Sequence, residues 1–202
     1  QIIKNQINVK YYKEATVENI LKYGADAVIV ATGSQSKKFP IKGIDGDNVV
    51  TAIDAMMDRA TLGENLVMVG AGLVGCETAL HLTPRGKKII MIEMADKLLP
   101  EPIFYMNEIM LTQMVTRNQN IQVMVGTKLL EVTDHSVIVE VEGAQKEIPC
   151  ETVVLAMGMK SEPNFMEELQ GKVPVYCIGD CREPRHIIEA LHEAREVVNS
   201  LA

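Results

Sequence analysis

Three glycines at fixed spacing, Gly70-x-Gly72-x-x-Gly75, with Ala71, Leu73 and Val74 between them, are the residues of this chain whose types point most directly to chemistry. They follow the apolar run Leu66–Val69 and open a stretch of helical character. Gly70 permits a tight turn, Gly72 has no side chain to keep a pyrophosphate from the backbone, and Gly75 lets a helix pack close to a strand. The helix start offers unpaired N–H groups and a partial positive charge to phosphates. Glu93 stands 21 positions after Gly72, where a carboxylate at a strand end accepts hydrogen bonds from ribose hydroxyls. The glycine spacing alone arises by chance about 0.07 times in a chain of this composition, and three ordinary turn glycines are the alternative reading. The strand before, the helix after and the acid downstream together make it a dinucleotide site.

Glu93 also bears on which dinucleotide. A carboxylate repels a 2′-phosphate, Met94-Ala95-Asp96 follow it, and Lys97 is the one nearby cation downstream, so NADH is expected over NADPH. Glu77, two residues past the last glycine, reads equally as a contact near the nicotinamide or as a carboxylate placed in the helix's first turn.

The elements that must hold these residues alternate between short apolar runs and helical stretches, as in α/β proteins. Ala27–Ala31, Leu66–Val69, Lys88–Ile92, Ile121–Val125, Thr152–Met157 and Val173–Ile178 read as strands, and Ile7–Val9 as a further short one. The apolar run Ala27–Ala31 suits a parallel strand covered on both faces. Helices are expected at Val17–Lys22 behind a Thr16 cap, Ala52–Arg59, from the glycines to Leu82, Ile103–Arg117 with Met and Ile on its apolar stripe, and His186–Leu201. Lys128–Thr133 and Ser136–Glu142 alternate around Asp134-His135 as an antiparallel hairpin. The opening Gln1–Asn5 reads like the tail of a helix already under way, as in a piece cut from a longer protein.

Composition sets the outer limits. The 202 residues are 47% hydrophobic and 23% charged, ordinary for a globular protein able to bury a core without staples. The net charge of -7 and the lack of a basic run argue against nucleic acid as a partner. No apolar run reaches the ~18 residues of a membrane span. The four cysteines, 76, 150, 177 and 181, are few and scattered, which fits a thiol-reducing cytoplasm.

The outer segments carry a resemblance. Ala25–Gly33, ending Ala31-Thr32-Gly33, resembles the A-x-x-x-A-T-G segment of two-dinucleotide flavoprotein oxidoreductases, and Thr152–Gly158, ending Ala156-Met157-Gly158, resembles their second crossing segment. Val175–Asp180 resembles their late G-D motif, at Gly179-Asp180. More narrowly, residues 72–82, 92–97 and 177–185 look like the C-terminal portion of the old-yellow-enzyme-like NADH:flavin oxidoreductases, the 2-enoate reductase and 2,4-dienoyl-CoA reductase group.

The resemblance implies a Rossmann-like three-layer NAD domain, residues 60–149, inserted in a partial FAD domain made of residues 1–59 and 150–202. It implies FAD contacts at Asp180 and a helix start near Arg185–Ile188 approaching the flavin. It also implies partners in the rest of a longer chain: the other FAD half, an FMN barrel and an iron–sulfur centre. The chain has one glycine motif, in the NAD position, so it is not expected to hold FAD tightly on its own. Uncovered apolar surface would then favour self-association.

The expected function is an electron-input module, in which hydride passes from NADH to flavin with no protein acid or base required. The alternatives are an NAD-binding sensor without catalysis and, more remotely, a methyltransferase-like use of the glycine loop. Cys177 and Cys181 are expected to be ordinary reduced thiols. Cys76 reads as a small packing residue that the helix dipole could acidify. His81, His135, His186 and His192 lack metal-ligand spacing. The twelve methionines are expected to fill the core, and Glu162, Glu167 and Glu168 to form a solvated face.

Overall fold

A computed structural model describes residue 5 and residues 7–201. The helix tail expected at residues 1–5 lies outside them, apart from Asn5. The elements in chain order are α1 (Val17–Lys22), β1 (Val28–Val30), β2 (Ser34–Ser36), β3 (Val49–Thr51), α2 (Ala52–Met56), β4 (Asn65–Val69), α3 (Leu73–Leu82), β5 (Lys88–Ile92), α4 (Tyr105–Arg117), β6 (Ile121–Met124), β7 (Thr127–Val132), β8 (Ser136–Val141), β9 (Ala144–Pro149), β10 (Thr152–Leu155), β11 (Met159–Ser161), α5 (Met166–Leu169), β12 (Val175–Cys177) and α6 (Ile187–Leu201). The chain divides into a central unit, Ser36–Met159, and an outer unit from the segments on either side.

The central unit is built on a parallel sheet in the order β3-β10-β4-β5-β6. Alternate residues of its strands point to opposite faces. Leu66, Met68, Ile89, Met91 and Val154 face a core shared with Ala55, Ala79, Leu82, Leu111 and Val115 of α2, α3 and α4. Val67, Val69, Ile92, Val153 and Leu155 face the other way, onto Leu129, Val132, Val137, Val139 and Ile148 of the antiparallel sheet β7-β8-β9. Helices, parallel sheet and antiparallel sheet thus make the three layers expected. The β7–β8 hairpin forms as read, and β9 extends it through a turn at Glu142-Gly143, both with positive φ. Such a two-residue turn matches the twist of the strands it joins.

In the outer unit, β1 pairs in parallel with β12, Val28 opposite Val175 and Val30 opposite Cys177. Thr16 caps α1, accepting from the Asn19 N–H. The chain passes between the units through β2 and β11, which pair with each other.

Several expectations fail for physical reasons. Ile7–Val9 is not a strand: it is exposed and has no ladder partner among the described residues. Ile29 of β1 is 41% exposed, so this strand is covered on one face only. The helix begun at Ala52 stops at Met56, and Asp58 turns the chain with φ at 52°. Of the methionines, Met68 and Met91 fill the core as expected, but Met106, Met110 and Met114 form an exposed row along α4, which buries Leu111 and Val115 instead. The apolar side of α6 is likewise uncovered: Ile187, Ile188, Leu191, Val198 and Leu201 are exposed, and the residue that α6 buries is Glu193. Glu162 is half-buried, whereas Glu167 and Glu168 are exposed as expected. Among the described residues no helix is long and apolar enough to cross a membrane.

Candidate functional site

The turn between β4 and α3 is shaped by its glycines, each under a different constraint. Gly70 has φ at 103°, and a Cβ there would lie 2.5 Å from the Ala156 carbonyl oxygen. A Cβ on Gly75 would lie 2.1 Å from the Gly70 carbonyl oxygen and 3.4 Å from the Ala156 Cβ. These two close approaches bring the start of α3 against the end of β10. Gly72 is different: a Cβ there would meet nothing within 4 Å. It is also the N-cap of α3, and no side chain caps that helix. The backbone at Gly72 therefore borders open space, with uncapped helix N–H groups beside it.

Glu93 follows β5 directly and is half-buried. Its Oε2 accepts the Ala71 N–H at 2.8 Å, and its Oε1 accepts the Ala95 N–H at 2.9 Å. The backbone on either side is also held, the Glu93 N–H donating to the Met124 carbonyl and its carbonyl accepting from Thr127. Each carboxylate oxygen keeps acceptor capacity for a further donor. The acid predicted from spacing is thus bonded to the residue between Gly70 and Gly72. Ala71 itself is fully buried, and its carbonyl accepts from Leu99. Leu73 is half-buried, Val74 exposed and Met94 72% exposed.

Ala156 joins this turn, its N–H donating to the Val69 carbonyl. Met157 packs under the sheet on the β7-β8-β9 side, and Gly158, with φ at 89°, accepts the Lys37 N–H. Glu77 is exposed and lies beyond the first turn of α3. Cys76 is the small packing residue expected, and the helix dipole does not acidify it. It is fully buried, and burial, reinforced by Glu77 and Glu93, pushes its thiol up to about 11.

The remaining candidates lie in the outer unit. The Thr32 hydroxyl donates to the Glu162 carbonyl, and the Gly33 carbonyl accepts the Glu162 N–H. Ala31 is exposed at the end of β1. Ser34 donates to the Asp180 carboxylate at 3.2 Å. Gly179 has φ at 66° and donates its N–H to Glu193 Oε2 at 2.7 Å.

Glu193 was not singled out from the sequence. It is 7% exposed and paired with Arg185 and Arg182. The Gly179 N–H, with the two arginines, holds its carboxyl below the usual range despite its burial. Helical spacing groups it with Glu189 and Glu196, away from the apolar face, so nothing in the sequence set it apart. Among the described residues no group of three or more His, Cys, Asp or Glu could hold a metal.

Comparison with known proteins gives the family and the fold. The model of a family described as "pyridine nucleotide-disulphide oxidoreductase" matches residues 2–196. A cinnamate reductase of Clostridium sporogenes is 33% identical over 198 residues, covering 96% of this chain and 29% of that protein. An NADH oxidase of Thermoanaerobacter brockii is 32% identical over 200 residues, 95% of this chain and 30% of that protein. A structure of 2-naphthoyl-CoA reductase with 2-naphthoyl-CoA superposes with a TM-score of 0.88 at 26% identity, over 95% of this chain and 29% of that one. The chain therefore spans under a third of the length of these relatives.

Proposed function

The chain belongs to the pyridine nucleotide-disulphide oxidoreductase family, and from that premise we propose that it is the NADH-binding, electron-input portion of a longer flavoprotein oxidoreductase. The observation that carries the reading is the pairing of an open Gly72 with a Glu93 carboxylate anchored to Ala71. The open backbone fits a pyrophosphate, which a Cβ would crowd, and the uncapped start of α3 fits its charge.

In this reading Gly70 and Gly75 keep α3 close to β10, so its N–H groups stay aimed at one point. Gly72 leaves room for the phosphates, and Leu73 and Val74 supply backbone N–H donors. Glu93 takes up ribose hydroxyls with the lone pairs that Ala71 and Ala95 leave free, and disfavours a 2′-phosphate. Met94, exposed beside it, covers the adenosine side without offering a cation. The nicotinamide supplies a hydride and a flavin accepts it when both are bound. The chain's own contribution is binding and orientation, and no side chain serves as acid or base.

Ala31, Thr32, Gly33, Gly179 and Asp180 are proposed as flavin-side residues, the carboxylate of Asp180 being held by Ser34. Ala156, Met157 and Gly158 form the matching crossing. A cinnamate reductase and an NADH oxidase among the relatives favour catalysis in the longer protein over a sensor role. The final acceptor would be reached through a partner portion of that protein.

Titration of the purified chain with NADH and NADPH, followed by calorimetry, tests the assignment. NADH should bind at least about tenfold more tightly, a difference of ~1.4 kcal/mol. Equal or tighter NADPH binding would sink it. The same preparation should carry well under one FAD per chain by absorbance.

A further inference from the structure

Cys177 ends β12, and Cys181 closes the helical turn Gly179–Cys181 that follows. Their sulfurs lie 2.8 Å apart, less than ~1 Å beyond the length of a disulfide bond. The approach is held from both sides. The Cys181 thiol is fully buried, with the carbonyl oxygens of Val30 and Ile178 both 3.1 Å from its sulfur as acceptors for its one S–H. Cys177 is fixed in the β1 ladder, opposite Val30. Cys177 is half-buried and so the one of the pair that solvent reaches.

We propose that Cys177 and Cys181 are a dithiol that closes into an intramolecular disulfide, a reversible modification site stapling the turn that carries Gly179 and Asp180. The other two cysteines are buried in the central unit, Cys76 in α3 and Cys150 before β10.

The oxidant is a small-molecule disulfide. The Cys177 thiolate attacks one of its sulfurs, breaking that S–S bond, forming a mixed disulfide and releasing one thiolate. The Cys181 thiolate then attacks Cys177 Sγ and expels the second small thiol. The two thiol protons of the protein end on the two released thiolates, and two electrons move to the small molecule. Burial and the adjacent Cys181 hold the Cys177 thiol up to about 12, opposed only by Arg182 and reinforced by Glu193. Exchange is therefore slow at neutral pH, and the pair is read at equilibrium rather than by rate.

The staple itself does not depend on the cofactor reading. Its consequence does, since fixing Asp180 matters to flavin only if Asp180 faces it.

The chain is equilibrated with reduced and oxidised glutathione, acid-quenched, alkylated in denaturant and digested with trypsin. Cleavage after Lys172 and Arg182 gives one peptide, Val173–Arg182, holding both cysteines and no other. It should appear lighter by two hydrogens and unalkylated, while Cys76 and Cys150 are alkylated. The oxidised-to-reduced ratio should be at least about tenfold higher for the folded chain than for the same chain equilibrated in urea. Cys181→Ser should stop at one glutathione on Cys177. A folded ratio equal to or below the unfolded one, a wild-type peptide left as the mixed disulfide, or an unmodified Cys177 would each overturn the proposal. None of these readouts changes if the chain binds no nucleotide.

Discussion

Gly72 and Gly75 share one turn yet answer to different demands. Alanine at 75 would press its Cβ into the Gly70 carbonyl, whereas alanine at 72 would meet open space at an ordinary backbone conformation, φ −73°. Gly75→Ala should therefore lose at least about 2 kcal/mol of stability in denaturant melts, the upper range of overpacking. Gly72→Ala should unfold within about 1–2 °C of the parent but bind NADH at least tenfold more weakly. Equal effects of the two on melting would contradict the division of labour. Glu93→Gln, which keeps the shape but loses the charge, should narrow the gap between NADH and NADPH in the same titration. At this scale the sequence was informative where a residue type has few uses. The three glycines and Glu93 could be found by spacing because turn, approach and charge each demand one kind of residue. Glu193 could not, because the donor it serves is a backbone N–H fourteen residues away, and backbone groups leave no mark in a sequence.

Strands buried on both faces announce themselves, and those that are not do so poorly. β5 lies where its apolar run does, Lys88–Ile92, and β4 and β10 differ by a residue or two. β9 buries one side chain of its six, Ile148, so no apolar run marked it. The edge where β10 begins also has an electrostatic device. Glu151 accepts the N–H groups of Asn65 and Glu64 and the Asn65 side chain, joining the start of β4 to that of β10. Those N–H groups hold its carboxyl below the usual range. Its contribution is present in full above the ordinary carboxylate value of about 4.3 and is lost as pH falls through the lower folded value. Unfolding free energy should thus drop below about pH 4. Glu151→Gln should be less stable at neutral pH, with a flatter acid limb in urea melts. An unchanged limb would assign the acid sensitivity elsewhere.

For the whole molecule, composition and alternation gave the α/β class, and the three-layer order came from the resemblance carried by the ordered motifs. What no pattern could supply was which apolar faces find a cover. α6 has the amphipathic spacing of a packed helix, yet Ile187, Ile188 and Leu191 are uncovered. The period of a helix records that a face is apolar, not what lies against it. The chain should accordingly enhance the fluorescence of an apolar dye such as ANS at neutral pH. Ile188→Glu with Leu191→Glu should remove most of that signal without lowering the melting temperature, whereas dye binding that persists would place the sticky surface on the methionine row of α4.

The backbone N–H of Lys37 and the carbonyl of Gly158, 121 positions apart in sequence, are bonded at 2.9 Å near the two ends of the central unit. A fold whose first and last residues are neighbours can be set into a surface turn of another protein by lengthening that turn alone, since closing the loop grows only slowly in cost with its length. Residues 36–159 are thus built as a graftable cassette. Spliced into a permissive loop of an unrelated host, they should carry their nucleotide affinity with them.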